Sequence, residues 1–525
     1  MENGEVDTKM DEPEESEPRW VSDRAAVRWL AVLVAYAAVR SATAAASKPF
    51  WFDEVCTWIV ARQPSVRALW SALEHAADAQ GPGLYLIERA ASAMLPNQEI
   101  ALRLPSIFGF CLLTICVFVF VRRTAGSNIA LLCSLIPFTT VLFHGYAIEA
   151  RAYSLVVACI AAALVCYQRA ASWRWLGLMA VSLALAESLH YYAVFSFLPI
   201  GVAEAARFLR TRKLRIGVWL GLLAGAAPLA IFWPLLAAWR AHYGAHYWAQ
   251  PSLFAVATAY GTFFEATAQW GVAIAAVLAV AVLGAALASL AGRSEGTAAS
   301  DNIFSEQVLT LALLGLPFAI YVVTKIVHGG LADRYMLPAV LGVPLALGYI
   351  LPRIGRRSVA LLAALLIFGV CAREGWFWLA HRGRLTIGAK TDTDSIERLV
   401  KAAGHEELPV VVSDVVEYLP IEHYADAYWR GRFVCLVDPE GALVFAGSDT
   451  IDKQMLILRT LAPMHVNEFG DFTAQHPVFL VDSTGNGDVF DWWPNRLLRD
   501  GYTLDLLASE GARKIYLASP GKSSR

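Results

Sequence analysis

The chain has 525 residues, of which 57% are hydrophobic and 17% charged, with a net charge of −2 and a mean hydropathy of +0.49. So little charge over so long a chain excludes an ordinary soluble globular protein. There is no basic cluster or recognition motif that would call for a nucleic-acid partner, and the eight cysteines show neither C-x-x-C nor metal-type spacing.

Residues 1–18 are acidic, lack an apolar period and are expected to form a disordered cytoplasmic tail. Arg19, Arg24 and Arg28 then lead into a first apolar segment over 25–46. The small residues at 41–46 resemble a signal-peptidase site, but the acidic leader and the many later spans favour an uncleaved anchor. Placing positive charge inside puts the amino terminus in the cytoplasm and Phe50-Trp51-Phe52-Asp53-Glu54 outside. Arg122 and Arg123 return the chain inside, and a span over 129–143 delivers 144–151 to the outside. Arg169 and Arg174, the cluster from Arg207 to Arg215, and Arg353, Arg356 and Arg357 mark further cytoplasmic ends. The alternation predicts about 11 transmembrane helices over 19–381, with 83–95 and 253–264 as interfacial or re-entrant helices.

The remainder, 382–525, has a different texture. The runs 409–414, 433–438 and 477–482 read as short buried strands, with helical patterns over 394–403 and 452–461 between them. This predicts a small extracytoplasmic α/β domain with a partly parallel sheet. Asp414, Asp438 and Asp482 end the strand-like runs and read as turn residues, and the glycine-rich 483–488 lacks the lysine of a P-loop.

An adjacent Asp-Glu pair beside the bilayer is costly unless it has water, a partner or a task. The order of five outer-face segments is informative here: Phe50-Trp51-Phe52-Asp53-Glu54, Gly81-Pro82-Gly83-Leu84-Tyr85, Ala101-Leu102-Arg103-Leu104-Pro105-Ser106, the stretch from His144 to Tyr153, and Asp333-Arg334-Tyr335-Met336-Leu337-Pro338. It resembles the motif order of the C-type polytopic membrane glycosyltransferases, which include protein O-mannosyltransferases, the lipid A aminoarabinose transferase and the rhizobial lipopolysaccharide transferases. Gly81-Pro82-Gly83 departs from that family's tandem prolines, and the match covers 25–351.

The resemblance implies a sugar donor linked to polyprenyl phosphate and an acceptor glycan, lipid or protein of the cell envelope. Transfer would occur on the outer face of a bacterial cytoplasmic membrane. It implies Asp53 as the base that deprotonates the acceptor hydroxyl. Glu54 beside it would bind sugar hydroxyls or orient the loop. Glu149 would contact the sugar or join Asp53 in holding Mg²⁺ or Mn²⁺. Arg103 and Arg334 are the expected phosphate ligands, because a guanidinium donates two parallel hydrogen bonds to phosphate. Arg151, His190 and Tyr191 complete the expected substrate-binding set.

Each has a plainer alternative. Asp53 and Glu54 fit a helix amino-terminal turn. Glu149 and Arg151 could neutralise a span end, Arg103 and Arg334 could snorkel, and His190 and Tyr191 could be interfacial anchors. Two rival functions stand beside the enzyme. One is a transporter or lipid-linked sugar flippase, which would place ionisable residues at the midplane of repeated halves. The other is a non-catalytic assembly factor.

Overall fold

The computed structural model describes residues 22–291, 298–380, 393–485 and 489–521. The expected disordered tail at 1–18 and the expected domain boundary at 381–382 lie outside them.

The amino-terminal part is helical. Among the described residues, six helices are long and apolar enough to cross a membrane, or eight if two bent pairs each count as one span. The further crossings expected from sequence differ for identifiable reasons. The helical stretch Gln98–Thr139 is continuous in length but breaks at Gly126, whose φ of +77° takes the backbone out of the helix between the expected spans. Tyr153–Tyr167 and Trp173–Leu189 contain 15 and 17 residues, short of the ~20 needed for an upright span. Tyr153–Tyr167 is apolar on every face and accordingly lies in the centre of the bundle, with only Ala162 not fully buried. Gly109 lets the long helix approach it closely, since a Cβ there would sit 2.6 Å from the Leu155 backbone. The last membrane helix, Arg356–Ala380, is tied to the first, Asp23–Ser47, by a buried Arg40–Glu374 pair at 2.7 Å.

Three short helices, Phe52–Ala61, Val66–Glu74 and Pro82–Met94, lie between the first two long ones. The Gly-Pro-Gly motif has a packing reason. Cβ atoms at Gly81 and Gly83 would fall 2.3 and 2.7 Å from the Ser188 carbonyl oxygen, so only glycine lets this loop seat on the end of Trp173–Leu189. The Gly81 N–H closes the contact on Leu189 O at 3.0 Å.

The carboxy-terminal domain is a six-stranded mixed sheet. Its strands are β1 (Val410–Val412), β2 (Phe433–Val437), β3 (Val466–Glu468), β4 (Phe479–Ser483), β5 (Tyr502–Glu510) and β6 (Arg513–Pro520), ordered β3-β2-β1-β4-β6-β5. The first four are mutually parallel, and β6 runs antiparallel to both β4 and β5. The three strands expected from sequence are β1, β2 and β4. The expected helices are Thr393–Ala403 and Thr450–Leu458. Asp414 and Asp438 cap the helices that follow their strands, accepting from Val416 and Gly441 N–H at 2.9 and 3.0 Å.

This domain is docked firmly on the membrane part. Phe50, Phe52, Val55 and Ile59 share one apolar cluster with Val412, Tyr418, Leu419 and Leu480. The Phe50 N–H donates to Tyr424 OH at 2.9 Å, and Gln454 donates to Ala77 O at 3.2 Å. The segment bearing Asp53 is therefore held from both sides.

Candidate active site

Phe52 starts a helix, so Asp53 and Glu54 occupy its first turn, where carboxylates offset the exposed N–H groups. Glu54 folds back onto the Trp51 N–H at 3.3 Å. The expected alternative of a helix start is thus part of the structure, but it consumes only one of the two acids. A helix turns each residue about 100° from the last, and the two side chains face different surroundings.

Glu54 is fully buried. Its two oxygens take the Nε and Nη2 of Arg103 at 2.7 Å each, and Oε1 also accepts the Ala150 N–H at 2.7 Å. Arg103 is equally buried, and its remaining N–H groups go to the carbonyls of Ala45, Lys48 and Pro49 at 2.6–2.9 Å. All five guanidinium donors are used within the protein. Contrary to expectation, Arg103 has no donor left for a phosphate; of the roles expected for Glu54, its contacts fit orienting the loop and leave no free face for a sugar or a proton. Together they clamp the 45–54 segment to Ala150.

Asp53 instead faces a cleft of about 510 Å³. Its Oδ2 lies 3.8 Å from Arg151 Nη2 and 4.0 Å from Arg334 Nη2, near both cations yet hydrogen-bonded to neither. Arg151 is anchored behind it by Asp78 at 2.8 Å, Thr57 Oγ1 at 3.0 Å and the Asp53 carbonyl at 3.2 Å, with Nε buried and unpartnered. Arg334 is looser. It lies over the Trp248 ring at 5.2 Å and the Tyr335 ring at 5.7 Å, and its buried Nε has no partner. Spare donors on two cations beside one carboxylate suit an anionic ligand.

Asp78 was not singled out from the sequence. It is 7% exposed, lines the cleft and fixes Arg151. The only local signal is an acid three residues ahead of the Gly81-Pro82-Gly83 turn, and its partner lies 73 residues further on.

Glu149 stands apart from this pair. Its Oε1 accepts Lys48 Nζ at 3.2 Å, its Oε2 is buried without a partner, and burial raises its pKa above the ordinary glutamate value. It does not line the Asp53 cleft. His190 lies among Tyr153, Tyr192 and Tyr335 at ring separations of 5.3–5.8 Å. Burial, followed by the Arg151 and Arg334 charges, pulls its pKa down to about 3, so it is a neutral aromatic wall at pH 7. It lines a second crevice of about 260 Å³ with Val156, Val157, Leu337 and Pro338, which meets the Asp53 cleft at Tyr153, Arg334 and Tyr335. Tyr191 is buried and lines neither.

The residues expected to hold Mg²⁺ or Mn²⁺ fit a cation poorly. Asp53 already faces two guanidinium groups, Glu149 faces an ammonium, and no group of three His, Cys, Asp or Glu side chains suited to a metal occurs among the described residues.

The chain is similar in structure to ArnT, an aminoarabinose transferase, from Cupriavidus metallidurans. In the apo state the TM-score is 0.56 at 13% identity, over 94% of this chain and 98% of that one. Against ArnT bound to undecaprenyl phosphate it is 0.52 at 12% identity, over 93% and 97%. No protein-family model and no curated protein sequence matches. The fold is therefore that of an aminoarabinose transferase, and the resemblance to C-type polytopic glycosyltransferases drawn from the motifs holds at the level of fold. The structural likeness also extends past 351 into the carboxy-terminal domain, beyond the reach of the motifs.

Proposed function

We propose that the protein is a glycosyltransferase that moves a sugar from a polyprenyl-phosphate donor to a hydroxyl of a cell-envelope acceptor. In this reading residues 19–381 form the membrane domain of a bacterial inner-membrane protein, and 382–525 form an extracytoplasmic domain. The observation that carries the reading is the Asp53 carboxylate standing between Arg151 and Arg334, both with an unused buried donor, where a cleft and a crevice meet.

The donor phosphate binds Arg334, with Arg151 Nε behind it, and the first isoprenoid carbons lie along Val156, Val157, Leu337 and Pro338. The sugar rests against Tyr247, Trp248 and Tyr335 in the cleft. The acceptor oxygen attacks the anomeric carbon as the bond to phosphate breaks. Asp53 takes the hydroxyl proton and Arg334 meets the charge gathering on the departing phosphate. Phosphate binding draws Arg334 away from Asp53, freeing the carboxylate to accept that proton. The undecaprenyl phosphate bound by the ArnT of similar fold is of this donor class.

The test is Asp53→Asn, which keeps the size and removes the base. Transfer from a panel of polyprenyl-phosphate sugars should fall by roughly 10²–10⁴, with membrane insertion and undecaprenyl-phosphate binding unchanged. Transfer within a few-fold of wild type would remove Asp53 from the role of base.

A further inference from the structure

A second, larger cleft of about 740 Å³ opens beside the first. Its walls include Trp248, Val415, Ser448, Ile451, Asp452 and Trp492, and Trp248 and Ile451 also line the Asp53 cleft. The two spaces share a wall, and that wall is made by both domains. We propose that this cleft binds the acceptor as a saccharide, presenting one of its hydroxyls across Trp248 to Asp53. The proposal rests on the transferase reading above and deepens it.

Position is the first argument. Val415 follows β1, Trp492 follows β4, and Asp452 accepts the N–H of Asp438, the residue after β2, at 2.8 Å. The cleft thus lies off the carboxyl ends of parallel strands, where open α/β sheets bind small polar ligands.

Chemistry is the second. A sugar ring offers an apolar C–H face and a rim of hydroxyls. Trp248, at 41% exposure, presents an indole to the junction. Trp492, 4% exposed and held by stacking on Phe445 at 5.5 Å and 9° and on Trp493 at 4.2 Å, forms the rigid back of the cleft. Asp452 and Ser448 supply hydroxyl partners on the same wall.

Other occupants fit less well. An added peptide strand needs a free sheet edge, but the edges are β3 and β5 and the cleft lies off the strand ends. An acyl chain would meet Asp452 and Ser448 as polar breaks in an otherwise largely apolar lining.

Val489 stands on the rim at 57% exposure, so it can be altered with little effect on folding. Full-length Val489→Cys, purified in lipid nanodiscs, is reacted after folding with a bulky maleimide. Wild type treated in the same way controls for the exposed Cys371. A panel of soluble neutral and acidic disaccharides is titrated by saturation-transfer NMR, and undecaprenyl phosphate is titrated in parallel. At least one disaccharide should bind treated wild type and bind the blocked variant about tenfold or more weakly, a loss of about 1.4 kcal/mol. Disaccharide binding without undecaprenyl-phosphate binding would keep this cleft as a saccharide site and sink the donor reading. Undecaprenyl-phosphate binding with no disaccharide bound, or with equal disaccharide binding by the blocked variant, would overturn the subsite and leave the donor reading standing.

Discussion

Arg103 and Glu54 form a doubly hydrogen-bonded ion pair with no exposed side-chain surface on either partner, both contacts at 2.7 Å. Adjacent acids that look equivalent in sequence are thereby divided: Glu54 builds the loop and Asp53 faces the cleft. Breaking a buried pair leaves an uncompensated charge, at a cost of about 3–5 kcal/mol. Arg103→Ala and Glu54→Ala should therefore lower thermal stability and the yield of folded protein, and Arg103→Lys should not restore them, because an ammonium cannot serve five fixed acceptors. Asp53→Asn should melt as wild type does. A well-folded Arg103→Ala variant with a selective loss of donor affinity would return Arg103 to the phosphate site.

Arg334 should behave in the opposite way. Its guanidinium touches ring faces and is 4.0 Å from Asp53, and its Nε is unpartnered. A charge-assisted hydrogen bond contributes about 1.5–3 kcal/mol. Arg334→Ala should weaken undecaprenyl-phosphate binding by roughly 10- to 100-fold at near-normal stability. A titration showing unchanged affinity would mean that Arg151 alone holds the phosphate.

Much of this was legible in the sequence, and what was not has a physical reason. The strands β1, β2 and β4 were visible because parallel strands buried on both faces read as unbroken apolar runs. The β5–β6 hairpin was missed: β5 is exposed or half-exposed at every position and carries no such run. Asp53, Arg151 and Arg334 were singled out, and the chain brings them together. Arg103 was misread because three of its five acceptors are backbone carbonyls at 45, 48 and 49, which no side-chain pattern records. Asp78 was missed because its meaning lies in a partner on another element. Tyr153–Tyr167 and Trp173–Leu189, expected from sequence to cross the membrane, form helices of 15 and 17 residues.

In the proposed reaction the two guanidinium groups near Asp53 would give the leaving phosphate its counter-charge without a cation. Transfer should therefore persist in excess EDTA, within about two- to three-fold of the untreated rate, since no first-order electrostatic partner is removed. A rate that collapses in chelator and returns with Mg²⁺ or Mn²⁺ would show that Asp53 and Glu149 hold a metal in the working enzyme.

The carboxy-terminal domain carries its own pH signature. Glu422, in the helix Val415–Tyr424, is 7% exposed and neither carboxylate oxygen has a partner. Burial pushes its pKa up from 4.5 to about 8, against a smaller opposing pull from Arg430. Asp452 is likewise raised by burial to about 7. A raised carboxyl pKa means that the folded state binds more protons than the unfolded one between the two values. Stability is then greatest below about pH 4.5 and falls as the pH climbs to about 8. Glu422→Gln removes one contribution to that slope, and at pH 8 it should stabilise the domain by about 1–3 kcal/mol by replacing an unpaired buried charge with a neutral amide. Thermal melts of wild type and variant at pH 5 and pH 8.5 read this directly. The two proteins should diverge at the higher pH and converge at the lower, and a wild-type protein that gains stability with rising pH would show that Glu422 is ionised and partnered in the fold.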